Sequence, residues 1–313
     1  IYSTQVESYH PFRLYMNELP AWDGTDRLKP LAKRISDIPL WIKSFHTWML
    51  GLAAQWLGVT QTQANSVAPI LISEEQGRHK STFCRMLMPP QLARYYSDNL
   101  KLTAQGNPER LLAEMGLLNM DEFDKFGAQK MPLLKNLMQM SSLNICKAYQ
   151  KNFRSLPRIA SFIGTSNRTD LLCDPTGSRR FICIEAEHDI DCTGIEHSQI
   201  YAQLKEELLA GARHWFNKEE EHALQCHNMA YYHVNPIEDI VRNTYAPATL
   251  NESDCLSLSA AIIHQELKKR FPAALRSCTP IQLAQIFTAT GISRQHTRLG
   301  NVYLVKRVKD SEE

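Results

Sequence analysis

Residues Val67 to Thr82 read VAPILISEEQGRHKST, and the reading of this stretch decides the fold. An apolar run with β-branched residues passes through a short polar loop containing Gly77 into an apolar-periodic segment that opens at Lys80-Ser81-Thr82. The pattern predicts a strand, a loop and a helix start. That order suits phosphate binding, because a loop entering a helix points several backbone N–H groups at one place and the helix dipole adds to them. Gln76, Gly77, Arg78, His79, Lys80, Ser81 and Thr82 are therefore the candidate nucleotide-binding set. Lys80 is spaced to reach the outer phosphates, and the Ser81 hydroxyl is spaced to sit on Mg²⁺. The strict pattern wants glycine six residues before the lysine and again directly before it, and those places hold Glu74 and His79. Taken alone, the stretch supports two readings: a phosphate loop with departures, or a buried strand followed by an ordinary helix.

At 313 residues the chain has room for two domains, or for one large domain with an appendage. An apolar fraction of 43% and a charged fraction of 22% are those of a soluble globular protein. No run of about 18 uncharged apolar residues suggests a membrane span. The chain begins at Ile1 and carries no signal peptide, which predicts a fragment of something longer. Its eight cysteines are scattered, with no C-x-x-C pair, which argues for a reducing, cytoplasmic setting over a disulfide framework or a cysteine zinc site. The formal charge of +2 makes no case for nucleic acid, but basic residues gather at 147–158, at 168–180 and in the last fifty positions.

Around the central stretch, residues 1–58 read as a helical lead-in, with Pro39 to Trp56 presenting one broad apolar face. The next strand, Leu117 to Met120, runs into Asp121-Glu122-Phe123-Asp124. Asp121 at its tip would hold Mg²⁺, and Glu122 would polarise an attacking water. Ile159 to Gly164 is a further buried strand closed by Thr165-Ser166-Asn167, and Arg179-Arg180 opens another at Phe181. An arginine there could neutralise charge developing on a γ-phosphate in its own or a neighbouring subunit. Ligand groups collect at the carboxyl ends of strands in an open α/β sheet. Three strands ending in such groups favour the phosphate-loop reading. Between them, Lys147 to Arg158 interleaves basic and aromatic residues without a helical period, as a hairpin or loop suited to tracking phosphates and stacking bases.

The segments ISEEQGRHKSTFCRML, GLLNMDEFDKF and RIASFIGTSNRTDLLCDPTGSRRFICIE resemble the Walker A, Walker B and sensor-plus-arginine motifs of the virulence-associated E family. The opening HPFRLYMNELPAWDGTDRL resembles the family's helical lead-in, so the likeness spans roughly residues 9–230. The resemblance implies an α/β P-loop NTPase of the AAA+ or superfamily 3 helicase type, carried by mobile elements and phages. It implies a ring, often hexameric, that moves on single-stranded or forked DNA by ATP hydrolysis, often behind a primase domain. Carried over by position, Lys80 would bind phosphate, Ser81 and Asp121 would hold Mg²⁺, and Glu122 would activate water. Asn167 would sense the γ-phosphate, and Arg180 or Arg179 would be the finger into the next subunit. Lys151 and Arg154 fall where superfamily 3 enzymes carry a DNA-contacting hairpin. His79 departs from the pattern, and a side chain there crowds the nucleotide or forces an unusual backbone.

Residues 199–221 read as one or two helices with Leu204, Leu208, Leu209 and Trp215 inward, and 235–256 as a linker. Beyond it, 257–313 predicts a small winged-helix-like domain: an amphipathic helix, a second helix capped by Thr279-Pro280, and a hairpin around Gly300-Asn301. Arg294, Arg298 and Lys306 on that hairpin are candidate DNA contacts. The expected organisation is thus a helical segment 1–58, an ATPase core 59–234, the linker and the winged helix. Two other classes stand against a DNA-dependent motor. One is the same fold with a failed P-loop serving as an oligomeric DNA scaffold. The other is a monomeric nucleotide kinase.

Overall fold

The computed structural model describes residues 9–59, 63–103, 106–127, 129–146, 153–172, 175–232, 236–250, 252, 254–276, 278–298 and 300–308. The chain divides into two compact units, 1–233 and 234–313. In the first unit the elements run α1 (Pro11–Asn17), α2 (Leu28–Lys33), α3 (Pro39–Leu57), β1 (Ala68–Ile72), α4 (Lys80–Met86) and β2 (Tyr96–Ser97). They continue with α5 (Pro108–Glu114), β3 (Leu117–Met120), α6 (Met131–Gln139), β4 (Ser142–Cys146) and β5 (Phe153–Pro157). The unit ends with β6 (Ser161–Ser166), β7 (Phe181–Glu185), α7 (His197–Leu209) and α8 (Lys218–His227).

Five strands form one sheet in the order β2-β3-β6-β1-β7, and every pairing in it is parallel. The central strands are buried along their whole length, as a parallel sheet covered on both faces requires. Alternation along β1 sends Leu71 to one apolar cluster and Ile70 and Ile72 to the other. The first cluster contains residues of α1, α2, α3, α4 and α7, and the second contains residues of α5 and α6. The result is a three-layer α/β unit.

α3 is the largest buried piece and ends at Gly58, whose φ of 78° closes it in the left-handed conformation. Trp48 donates from its indole nitrogen to the Phe162 carbonyl at 3.1 Å, and the Gln55 amide nitrogen donates to the carbonyls of Ile159 and Ala160 at 2.9 and 2.8 Å. Each fully buried large side chain contributes about 2–3 kcal/mol relative to exposure. The expected helical lead-in 1–58 therefore shares its core with the sheet over its described residues and falls within the same unit. Of the basic segment 147–158 expected as a hairpin or loop, 147–152 lie outside the described residues and Phe153–Pro157 forms β5, antiparallel to β4 with Ser142 opposite Pro157 and Cys146 opposite Phe153.

The second unit comprises α9 (Pro236–Thr244), β8 (Tyr245–Pro247), β9 (Leu256–Ser259), α10 (Ala260–Arg270), α11 (Pro280–Ala289), β10 (Arg294–Thr297) and β11 (Gly300–Arg307). β11 pairs antiparallel with β10 on one side and with β9 and β8 on the other. Val241, Ile263, Leu267, Leu283, Phe287, Tyr303 and Val305 form the core. The segment expected as a linker, 235–256, is instead folded over much of its described length. Pro236 stands in the first turn of α9, where its missing N–H costs nothing, and Pro247 ends a strand. The Thr279 cap of α11 is a full capping box with Gln282. No helix among the described residues is long and apolar enough to cross a membrane.

Leu209 and Trp215, expected inward, are exposed to 71% and 39%. α7 stops at Leu209, so the helical period that would have turned Trp215 to the core does not continue, and Leu209 itself stands in the last turn, beyond the buried run of Ile200 to Leu204.

Candidate functional site

The carboxyl ends of β1, β3 and β6 lie side by side, and a cleft of about 450 Å³ opens there. Gln76, Gly77, Arg78, His79, Lys80, Ser81 and Thr82 line it together with Asp121, Glu122, Thr165, Ser166 and Asn167. Ten of the residues singled out in the sequence as nucleotide, metal or catalytic groups thus meet in one place. Parallel pairing of β1 and β3 with β6 is what brings together positions far apart in sequence.

Lys80 is the first residue of α4 and only 7% exposed. Its Nζ donates to the Ser73 carbonyl at 3.1 Å, to Asn167 Oδ1 at 3.0 Å and, at 3.5 Å, to the Glu75 carbonyl. Burial, seconded by the Arg78 guanidinium and opposed by Asp121, holds this amine below the usual lysine range. The contacts are three neutral oxygens, so the charge is hydrogen-bonded but not neutralised in place.

Ser81 donates to Asp121 Oδ1 at 2.9 Å, and Thr165 donates to the same oxygen at 2.6 Å. The sequence places Thr165 among the polar groups at the strand tips but gives it no individual role. Its part in fixing the Asp121 carboxylate depends on the register of β3 against β6, which pairs Met120 with Gly164. Ser166 in turn donates to Asp124 Oδ1 at 3.1 Å. Glu122 has a φ of 52° and forms an ion pair with Lys125 at the lip of the cleft.

His79 occupies the place where the strict pattern has glycine, and it adopts φ 58°, ψ 21°. The left-handed conformation that a glycine provides freely is therefore present in this loop, and histidine is among the residues that tolerate it. Gly77 has φ 88°, and nothing lies within 4 Å of where a Cβ would stand, so the loop is open on that side. A loop with two left-handed residues, a buried amine without an anion, and a hydroxyl joined to a carboxylate together fit a magnesium nucleotide.

Arg179 and Arg180 are not in the cleft. They stand just before β7, whose Phe181 pairs with Ala68 at the beginning of β1, so they lie toward the amino end of the sheet. Arg179 pairs with Glu221 of α8 at 2.9 Å. Of the expected DNA contacts, Lys151 lies outside the described residues and Arg154 falls on β5. Arg294 on β10 and Arg298 in the turn after it are exposed, whereas Lys306 is paired with Glu252 at 2.9 Å.

No curated protein sequence matches the chain. Among solved structures it is similar to the apo structure of the NrS-1 C-terminal region (305–718), at 15% identity and a TM-score of 0.45, covering 94% of this chain and 78% of that one. The A-form apo structure of the same region gives the same identity and coverage with a TM-score of 0.42. Residues 234–305 match a domain of unknown function described from a B. theta gene. Residues 16–233, which include every residue of the cleft, match the virulence-associated protein E-like domain, and the chain belongs to that family.

Proposed function

We propose that the first unit is a P-loop ATPase of the superfamily 3 helicase type, a DNA-dependent motor for replication of a mobile or phage-related element. The observation that carries this reading is the meeting of Lys80, the Ser81–Asp121 pair and Asn167 in one cleft, behind a loop that is left-handed at His79. In it the backbone N–H groups of 76–82 and the Lys80 amine bind the β- and γ-phosphates. Ser81 and Asp121 hold Mg²⁺, which when bound neutralises phosphate charge. Glu122 leaves Lys125 to orient the attacking water, and Asn167 exchanges Lys80 for the γ-phosphate.

Arg179 and Arg180 lie toward the opposite end of the sheet from the cleft of their own chain, so in this reading they serve a neighbouring subunit of a ring, a hexamer. The second unit, with three helices, a hairpin and exposed Arg294 and Arg298, is read as a winged helix that holds DNA. Family membership and the motif resemblance support the setting in mobile elements.

The test is ATP hydrolysis with Mg²⁺, with and without single-stranded DNA, in the wild type and in Lys80→Ala and Glu122→Gln. Hydrolysis that rises with DNA and vanishes in both variants is expected. A folded protein that neither hydrolyses nor binds nucleotide by calorimetry overturns the motor and leaves an oligomeric DNA scaffold.

A further inference from the structure

The second unit carries its charge unevenly. No aspartate or glutamate occurs between Leu267 and Val308, against eight lysines and arginines. Lys306 and Arg307 reach back to carboxylates, of Glu252 at 2.9 Å and of Glu266 at 2.7 Å. Arg294 and Arg298 are exposed and have no acidic partner among the described residues. The part of the unit built from α11 and the β10-β11 hairpin thus offers cations without anions, and it suits a polyanion.

Strand register fixes where one of these cations stands. Arg294 lies directly opposite Tyr303, and residues so paired point to the same face of a sheet. The Tyr303 ring packs on Phe287 of α11, with centroids 4.8 Å apart. Arg294 is therefore on the α11 side of the sheet, and so is His296, two residues on. β10 ends the sheet, and Arg298 follows in the turn beyond it. A basic edge borders the helix.

α11 itself is held by its inner face, where Leu283 and Phe287 are buried. Its outer face presents Ile281, Gln285 and Thr288, spaced i, i+4 and i+7 in one stripe. All three are exposed, Ile281 to 75%. Gln285 has no hydrogen-bond partner among the described residues, and the Thr288 hydroxyl bonds back to the Ala284 carbonyl at 3.3 Å. An uncharged stripe beside a basic edge matches duplex DNA, in which phosphates take the cations and base edges take amides and methyl groups. A helix about 10–12 Å across with its side chains fits a major groove about 12 Å wide. A partner recognised by charge alone would gain nothing from an exposed isoleucine and a vacant amide in the middle of the surface.

We propose that α11 reads a short site containing A·T pairs in the major groove of duplex DNA. Gln285 bonds an adenine edge, Ile281 and Thr288 lie against thymine methyl groups, and Arg294 and Arg298 hold the flanking phosphates. The inference rests on the winged-helix reading of this unit and narrows it from DNA in general to a preferred duplex sequence.

The test is selection from duplexes of randomised sequence by the full chain without nucleotide, followed by anisotropy with the enriched duplex and a scrambled one. A short enriched motif with A·T pairs is expected. Gln285→Ala should weaken binding of the enriched duplex about tenfold and leave the scrambled one unchanged, as loss of one bidentate base contact would. Arg294→Ala and Arg298→Ala should each weaken both duplexes alike, severalfold, and lower the salt slope by about one. Duplex binding without an enriched motif overturns base reading by α11 and leaves the DNA reading of the unit standing. No duplex binding at all overturns both. A folded Gln285→Ala that keeps the full preference, or that weakens both duplexes equally, also overturns the inference, as do arginine variants that bind like the wild type. Measured without nucleotide, none of these outcomes touches the ATPase reading.

Discussion

Two buried cations stand near opposite ends of one strand and differ in what holds them. Arg158 comes just before β6 and Asn167, the partner of Lys80, just after it. Lys80 rests on two loop carbonyls and one side-chain amide oxygen, at the mouth of an open cleft. Arg158 donates to backbone carbonyls of Asn65, Leu137, Met138 and Ala160, in the interior. Neither has a carboxylate among these contacts. The lysine's partners belong to a loop and a rotatable side chain, so an incoming anion can take their place. Those of the arginine include the end of α6 and the stretch between the hairpin and β6, and a planar guanidinium satisfies several at once. Burial pushes the Arg158 guanidinium down to about 9, still protonated at neutral pH. In the proposed reading one charge is held for a ligand, and the other is held by the fold.

The comparison breaks if the two substitutions behave alike. Lys80→Ala should lower hydrolysis by about 100-fold or more and leave the urea midpoint nearly unchanged. Arg158→Met should do the reverse, costing about 3–4 kcal/mol of stability by stranding several buried carbonyls, read from urea unfolding. His79→Gly sharpens the ligand end. Removing a left-handed side chain should stabilise the loop by about 1 kcal/mol and tighten nucleotide binding severalfold by calorimetry.

The smallest effect belongs to the brace at Glu220, whose carboxyl is lowered to about 2 chiefly by the Arg213 hydrogen bonds, with burial opposing and Lys43 adding. A depressed carboxyl stabilises the fold above its unfolded pKa of about 4.5 and loses that contribution as pH falls toward 2. Glu220→Gln should therefore cost about 1 kcal/mol at pH 7. The difference from wild type should shrink between pH 4.5 and 2, followed by thermal melts.

The sequence was most readable where the chemistry is local. A strand running into Lys80 and another running into Asp121 announce themselves through apolar runs that end in polar groups, and the cap of α11 through Thr279-Pro280. Contacts that depend on register were less accessible. Nothing near Thr165 says that its hydroxyl will share an oxygen with Ser81, because that depends on how β3 and β6 align. β2 is two residues long and has no period to detect. Pro236 and Pro247 are breakers by composition, yet one starts a helix and the other ends an edge strand, and only the core around Val241 and Tyr245 distinguishes these uses. Arg158 read as one more basic residue in a cationic stretch, since burial of a single arginine leaves no mark in spacing.

The order of strands also bears on how the chain is made. β1 lies between β6 and β7, so both of its hydrogen-bonded neighbours are synthesised long after it. During translation, Ala68 to Ile72 must wait until residue 166 has left the ribosome before one edge can pair, and until residue 185 before the other can. Such distant pairing is slow to form and leaves a β-rich apolar segment open to wrong partners. α3, complete before β1 emerges and contributing to the same apolar cluster, can shelter one face of that strand in the interval.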